Sequence, residues 1–513
     1  MVSNRNSSNH RANNKHRRVT LRAPQSLNAY VKSICDIMRR GGAAGALQYV
    51  PELTWMLFLR ILDENEEREL EAAQVVGEKF TPSLAAPYRW RDWASPHGTR
   101  RLELGIGTLG GMMKFVNEDL LPHLRGLKDQ PNANARQKVI GQVFAAVERT
   151  RIDTERNLLD ILDKVDTLSA GQVDQTHMFT LSQVYEGLLL KMGEKNNDGG
   201  QFFTPREVIR AMVRVVNPQV GGTVYDPCCG TGGFLAQAFE FMRPQAQTPD
   251  AIEAIRTRTF WGREKENLVY PIALANLVLH GIDEPHIWHG NTLTDNVVYD
   301  GLFAGAPVQY NYVLTNPPFG GKEGKEAQTK FAFKTGATQV LFLQHVISAL
   351  KDGGTCGIVL DEGVLFRTNE TAFVQTKLKL LDECDLFCIV SLPSGVFLQA
   401  GGGVKTNLLF FTKGKTTESV WYYDLSDVKM TKKQPLTLAH FDDFFGLLPT
   451  RAETDKSWNV RAEDLRTKNY DLKAVNPRAK NDADTRTPGD LYTIIEDKQR
   501  EIAEALARLK KEN

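Results

Sequence analysis

The sequence predicts an α/β fold: a doubly wound, mostly parallel sheet, preceded by an α-helical N-terminal domain and followed by a C-terminal helix. Three observations carry this expectation. Short runs rich in β-branched and aromatic residues alternate with helical stretches between Thr223 and Thr412, the pattern of parallel strands joined by crossover helices. One of these runs, Thr223-Val224-Tyr225, leads straight into a glycine-rich stretch, Asp226-Pro227-Cys228-Cys229-Gly230-Thr231-Gly232-Gly233-Phe234. Strand, glycine turn and helix in that order form a binding site at the carboxyl edge of such a sheet. Upstream of residue 170 the apolar residues recur at helical spacing and strand signals are few.

Composition narrows the class. At 513 residues the chain is expected to hold two or three domains. Apolar residues make up 42% and charged residues 24%, ordinary values for a soluble globular protein. The net charge of +1 excludes a polycationic nucleic-acid coat, so contact with DNA must come from local basic patches or from a partner. Six cysteines occur without a CxxC pair, so neither a metal site nor a disulfide framework is expected and a reducing cytoplasm fits. Cys384 and Cys388 lie in a strand-like run and read as core. No apolar run reaches the length of a membrane span.

Taken in order, residues 1–24 read as a disordered basic tail, with Arg5, Arg11, Lys15, Arg17, Arg18 and Arg22 and no acid. Residues 25–170 read as the helical domain. Leu27, Tyr30, Val31, Ile34 and Ile37 form one stripe; Leu53, Met56, Leu57, Leu59, Ile61 and Leu62 form another, ended by the acidic run from Asp63. Helix is expected again from Val139 to Leu168. Residues 171–474 read as the α/β domain, with strands over Thr223–Tyr225, Thr259–Gly262, His286–His289, Tyr310–Thr315, Thr355–Leu360, Leu386–Leu392 and Asn407–Thr412. The last two are expected to pair antiparallel at the edge of the sheet. Residues 475–513 read as a polar linker and a helix starting near Pro488, whose stripe of Leu491, Ile494, Ile495, Ile502, Leu506 and Leu509 must pack on something.

Two further stretches carry chemistry. The run Tyr310–Thr315 is stopped by Asn316-Pro317-Pro318-Phe319. Each proline fixes φ and lacks an N–H, so the chain leaves the strand as a stiff bracket, able to aim carbonyls and an Asn amide at a substrate. Before the glycine turn lies Gln201-Phe202-Phe203-Thr204-Pro205-Arg206. No GKS or GKT follows the glycine turn, so it is not a phosphate cradle. Glu264, just past a strand, stands where an acid accepts ribose hydroxyls in folds of this kind.

These three stretches, in this order and spacing, resemble the amino-methylating DNA methyltransferases that modify adenine at N6, in their gamma arrangement. The chain is most similar to the modification subunit of Type I restriction–modification systems, over about Gln172 to Asn476. The resemblance implies a Rossmann-like S-adenosyl-L-methionine-dependent methyltransferase domain. It implies that Asn316 and the Pro317 carbonyl bind the N6 hydrogens of a flipped adenine, with Pro318 stiffening the bracket and Phe319 stacking on the base. On the cofactor side it implies Gly230, Thr231, Gly232 and Gly233 for close backbone approach. Asp226 would order the turn or take the amino group, Glu264 would hold the ribose, and Asn291 would face the cofactor's adenine. Phe203 and Thr204 would wall the methionine end, Arg206 would pair with a backbone or carboxylate group nearby, and Gln201, Phe202 and Pro205 belong to the same cofactor-binding stretch. Implied partners are double-stranded DNA, a specificity subunit, a second copy of the chain and a restriction (nuclease/translocase) subunit, with no membrane.

One departure from the family pattern is Leu360-Asp361-Glu362-Gly363, where these subunits commonly carry a proline after the fifth strand. Gly320–Gln339 holds four lysines among glycines and is expected to be mobile beside the site. Rival readings are methylation of cytosine N4, of RNA or of a protein amide, and a non-catalytic DNA-binding scaffold. The intact set of three stretches argues against the scaffold.

Overall fold

The computed structural model describes residues 32–34, 36–40, 46–107, 109–167, 204–397, 405–430, 434–473, 475–478 and 487–509. The basic tail, residues 171–203 and with them Gln201, Phe202 and Phe203 lie outside the described residues.

In the helical region, helical residues 32–34 and 36–40, with Ile34 and Ile37 buried, precede the long helix α1, Ala46–Val76. Its apolar face, from Leu53 to Leu62, is buried. The acidic run does not end it, because its inward acids find arginines. Asp63 accepts from Arg91, and Glu66 and Glu69 from Arg136. Two further helices are α2, Ala135–Val143, and α3, Glu155–Asp166. They are separate, not one run from Val139: residues 144–154 leave the helix, and Thr154 caps the second. Asn134 and Gln137 form a capping box at the start of α2.

Ten strands form a single sheet in the order β10-β9-β7-β8-β6-β5-β1-β2-β3-β4. They are β1 Val224–Asp226, β2 Phe260–Glu264, β3 His286–Asn291, β4 Asn296–Tyr299, β5 Tyr310–Thr315, β6 Leu350–Asp361, β7 Cys384–Ser391, β8 Thr406–Lys413, β9 Ser419–Asp424 and β10 Ser457–Arg461. From β6 through β5, β1 and β2 to β3 every pair is parallel. β7 and β8 are antiparallel as expected, but they do not form the edge. β8 also pairs with β6, and β9 continues the sheet parallel to β7, with β10 antiparallel beyond it. The sequence reading passed over β4, β9 and β10.

Helices cover both faces. On one lie α4 Arg206–Val216, α5 Gly233–Met242 and α6 Tyr270–Leu279, merged into the same core as α1 to α3. On the other lie α7 Thr338–Ala349, the short α8 Glu362–Phe366 and α9 Thr371–Glu383. The helical region is locked to the sheet domain by charge as well as by packing. Arg136 of α2 reaches Glu69 and, across the junction, Asp283; Arg256 meets the same two acids from the other side.

The last helix, α10 Pro488–Leu509, is capped by Thr487, whose hydroxyl accepts the Asp490 N–H while Asp490 accepts the Thr487 N–H. Leu491, Ile494, Ile495 and Ile502 are exposed. No helix among the described residues is long and apolar enough to cross a membrane.

Candidate active site

The chain runs from β1 to β2 and β3 on one side and from β5 to β6 on the other. The carboxyl ends of β1 and β5 therefore flank the point where strand order reverses, and a cleft must open there. A cavity of about 350 Å³ occupies it. Its walls come from the glycine turn after β1, the end of β2, the turn after β3, the bracket after β5 and Thr204 ahead of α4.

The glycine-turn wall is set by backbone conformation. Gly230 and Gly232 have φ of 54° and 79°, left-handed values natural to glycine. The Gly230 N–H donates to Glu264 Oε2 at 2.8 Å, and Glu264 Oε1 accepts the Glu266 N–H at 2.8 Å. Glu264 is the last residue of β2 and is buried at 6% exposure. Burial pushes its carboxyl up to about 7, against the pull of those two N–H groups. Gly232 matters for a reason other than room for a ligand. A Cβ there would meet the Leu277 side chain on α6 at 3.2 Å. Asn276 of the same helix donates to the Thr231 carbonyl, so α6 braces the turn from behind.

Asp226 joins the two strand ends. Its Oδ1 accepts the Thr315 hydroxyl at 2.7 Å and the Cys228 N–H at 3.2 Å. Its Oδ2 is buried and has no hydrogen-bond partner among the described residues. Burial raises this carboxyl to about 7 also. Asn291 orders its own turn, its side-chain oxygen accepting the Leu293 N–H at 2.9 Å, and Thr292 beside it donates to the Pro227 carbonyl.

On the opposite wall, Asn316 Nδ2 donates to Thr204 Oγ1 at 3.0 Å, which fixes the plane of the amide. Asn316 Oδ1 is buried without a hydrogen-bond partner among the described residues, in a residue that lines the cavity. Pro318 also lines it, whereas Pro317 is buried behind them and its carbonyl accepts from Gln339 Nε2 at 3.3 Å. Phe319 packs edge-on against Phe397, ring centres 5.2 Å apart. Pro205 and Arg206 start α4, directly after Thr204.

The structure thus brings Thr204, Asp226, Gly230, Thr231, Gly233, Glu264, Asn291, Asn316 and Pro318 to one cavity. Sequence reading did not single out Thr315, Gln339 or Phe397, which act across 20 to 90 residues of chain and carry no local pattern. The lysine-rich loop is a folded flap beside the cavity. Lys322 bridges to Ala337, the Glu323 N–H donates to the Gly336 carbonyl, and Lys330 binds Asp295 at 3.0 Å. Lys325 and Lys334 remain exposed.

Comparison with known proteins agrees with this geometry. Residues 176–485 match the model of the family described as N-6 DNA Methylase, and residues 27–165 match the HsdM N-terminal domain. The chain is 34% identical to the Type I restriction enzyme EcoEI methylase subunit of Escherichia coli, over 94% of this chain and 97% of that one. It is 31% identical to the EcoKI methylase subunit of Escherichia coli K12, covering 85% and 80%. A crystal structure of a modification subunit from Vibrio vulnificus YJ016 superposes with a TM-score of 0.77 at 33% identity, covering 89% and 97%.

Proposed function

The chain belongs to the N-6 DNA methylases and, among them, to the methylase subunits of Type I restriction enzymes; from that premise we propose that the cavity binds S-adenosyl-L-methionine and that Asn316 presents a flipped adenine to it. The fit rests on buried acceptors. Asp226 Oδ2 has no hydrogen-bond partner among the described residues and suits the ammonium of the cofactor's methionine end. The Glu264 carboxylate, held by two N–H groups, retains lone pairs for two ribose hydroxyls. When bound, the cofactor supplies a methyl group already activated on a sulfonium.

The work left to the protein is on the acceptor. The lone pair of an adenine amino group is delocalised into the ring, and two fixed acceptors on its hydrogens favour the form whose lone pair points out of the plane. Asn316 Oδ1 and the Pro317 carbonyl fill that role. Neither titrates in the working range, so catalysis is alignment and electrostatic preorganisation, not removal of a proton by a shifted base. The single observation that carries the assignment is the orientation of Asn316: its NH₂ is committed to Thr204 and its oxygen is left unpartnered at the cavity. The target atom is inside duplex DNA, so the base must turn out of the stack to reach the bracket, where Phe319, held edge-on by the buried Phe397, offers aromatic surface.

Site choice comes from a partner. The chain is nearly neutral, and Leu491, Ile494, Ile495 and Ile502 of the α10 stripe are exposed on a helix that follows a polar linker. A specificity subunit docked in part on that helix would cover the stripe, an apolar face meeting another chain's helices. Burying about six aliphatic side chains contributes on the order of 10 kcal/mol gross, before the cost of association. The DNA duplex, a second copy of the chain and a restriction subunit complete the proposed assembly.

The test is transfer of labelled methyl from the cofactor to duplex DNA by this chain with its specificity subunit, followed by nucleoside analysis. Label in N6-methyladenine is expected. Label in N4-methylcytosine, or none with the cofactor bound, would overturn the reading.

A further inference from the structure

We propose that Gln339 is a positioning residue for methyl transfer: its side-chain amide aims the Pro317 carbonyl, and the backbone N–H of Asp361 sets the direction of that amide. The inference rests on the reading of Asn316 and Pro317 as the acceptors of the adenine amino group.

Gln339 is in the first turn of α7 and only 2% exposed, an unusual place for a primary amide unless both ends are used. Both are. Nε2 donates to the Pro317 carbonyl at 3.3 Å, and Oε1 accepts the Asp361 N–H at 3.1 Å. Turning the amide over would set its NH₂ against the Asp361 N–H and its oxygen against the Pro317 carbonyl. Two hydrogen bonds would become two repulsions, so only one orientation is tolerated. The donor engages one lone pair of the Pro317 oxygen and leaves the other for substrate.

The anchor is the backbone N–H of Asp361, whose side chain separately caps α8 by accepting the Val364 N–H at 3.0 Å. Gln339 therefore links the carboxyl end of β6 to the bracket at the end of β5. Lys322, Asp361, Arg367 and Glu370 are the charged groups that line, with Gln339, a small cavity of about 310 Å³.

Gln339→Met keeps the length and loses the donor; Gln339→Glu restores a donor only when protonated. With the specificity subunit and duplex DNA, Gln339→Met is expected to lower kcat at least tenfold, with cofactor affinity, KM for DNA and melting temperature close to the parent's. Gln339→Glu is expected to regain turnover as pH falls from 8 to 6, a profile the parent lacks, because the ionised form opposes the Pro317 carbonyl. Asp361→Pro supplies a second route, since φ of −70° suits proline and the substitution deletes the N–H. Its kcat must fall below that of Asp361→Ala, which loses the cap but keeps the N–H. Parent-like kcat in Gln339→Met with no acid rescue in Gln339→Glu overturns the proposal; should those variants not fold, equal kcat in the two Asp361 variants does so. An active Asn316→Ala would instead overturn the reading of the bracket, whatever Gln339 does.

Discussion

The two walls of the cavity are built by different means. The glycine-turn wall is local: left-handed glycines, a turn pinned by its own N–H groups, and an acid one strand away. The bracket wall is stiff in itself, yet its aim depends on distant groups. Thr204 fixes the Asn316 amide from ahead of α4, Gln339 holds the Pro317 carbonyl from α7, and Phe397 meets Phe319 from beyond β7. The Thr315 hydroxyl ties one wall to the other, donating to Asp226 and sharing a hydrogen bond with Cys228 Sγ at 3.1 Å. The comparison teaches that damage to the first wall should appear in cofactor binding, and damage to the second in turnover.

The sharpest break on the first wall is Gly232→Val. The left-handed φ and the Leu277 contact at 3.2 Å together make this a folding defect, costing about 2–5 kcal/mol. Thermal melting should show the loss before any binding assay does, and a parent-like melt with lost binding would return the glycine to a purely ligand-facing role. Glu264→Gln should leave the fold in place and weaken the cofactor about 10- to 100-fold by titration calorimetry. One charge-assisted acceptor is worth about 1.5–3 kcal/mol, and a Gln oxygen cannot replace both carboxylate oxygens.

A gentler probe is pH. Glu264 and Asp226 titrate near 7 when folded, above the values of about 4.5 and 3.8 from which burial raises them. The folded protein therefore holds protons that the unfolded chain releases, so these two groups make stability fall as pH rises from about 4 to 7. Cofactor binding uses the ionised forms and should tighten over pH 6 to 8. Glu264→Gln should make that slope shallower; an unchanged slope would remove Glu264 from the linkage. The smallest effect on this chain is expected from deleting residues 487–513. The melt and the cofactor affinity should not move, while size-exclusion chromatography with the specificity subunit should show a weaker complex.

The same contrast explains what was legible in the sequence. The glycine turn, Glu264, Asn316 and the central strands follow from local pattern, and β5 was placed to the residue. β9 carried a signal, Val420-Trp421-Tyr422-Tyr423, that was lost in the polar stretch after Lys413. β4 and β10 are short, and β4 is largely exposed, so neither shows the alternation that marks a half-buried strand. The acidic half of α1 looked like a helix end because the arginines that neutralise Asp63, Glu66 and Glu69 lie 28 to 70 residues away in sequence. Thr315 sits beside a recognised motif, yet its partner Asp226 is 89 residues earlier, and Gln339 is one of many amides in the chain. Contacts of that range leave no period to read.

Whether the walls are separable is decided most directly by Asn316→Ala, with cofactor affinity and methyl transfer measured on the same preparation with its specificity subunit and duplex DNA. Removing one preorganised group of this kind costs about 10²- to 10³-fold in turnover. Among the described residues Asn316 Oδ1 has no partner whose loss would disturb the glycine turn. The expected result is calorimetric affinity for the cofactor like that of the parent, with methyl transfer lowered by at least that factor. Transfer that survives near the parental rate, or cofactor binding that is lost in step with it, would contradict the division of the site into a cofactor wall and an acceptor wall.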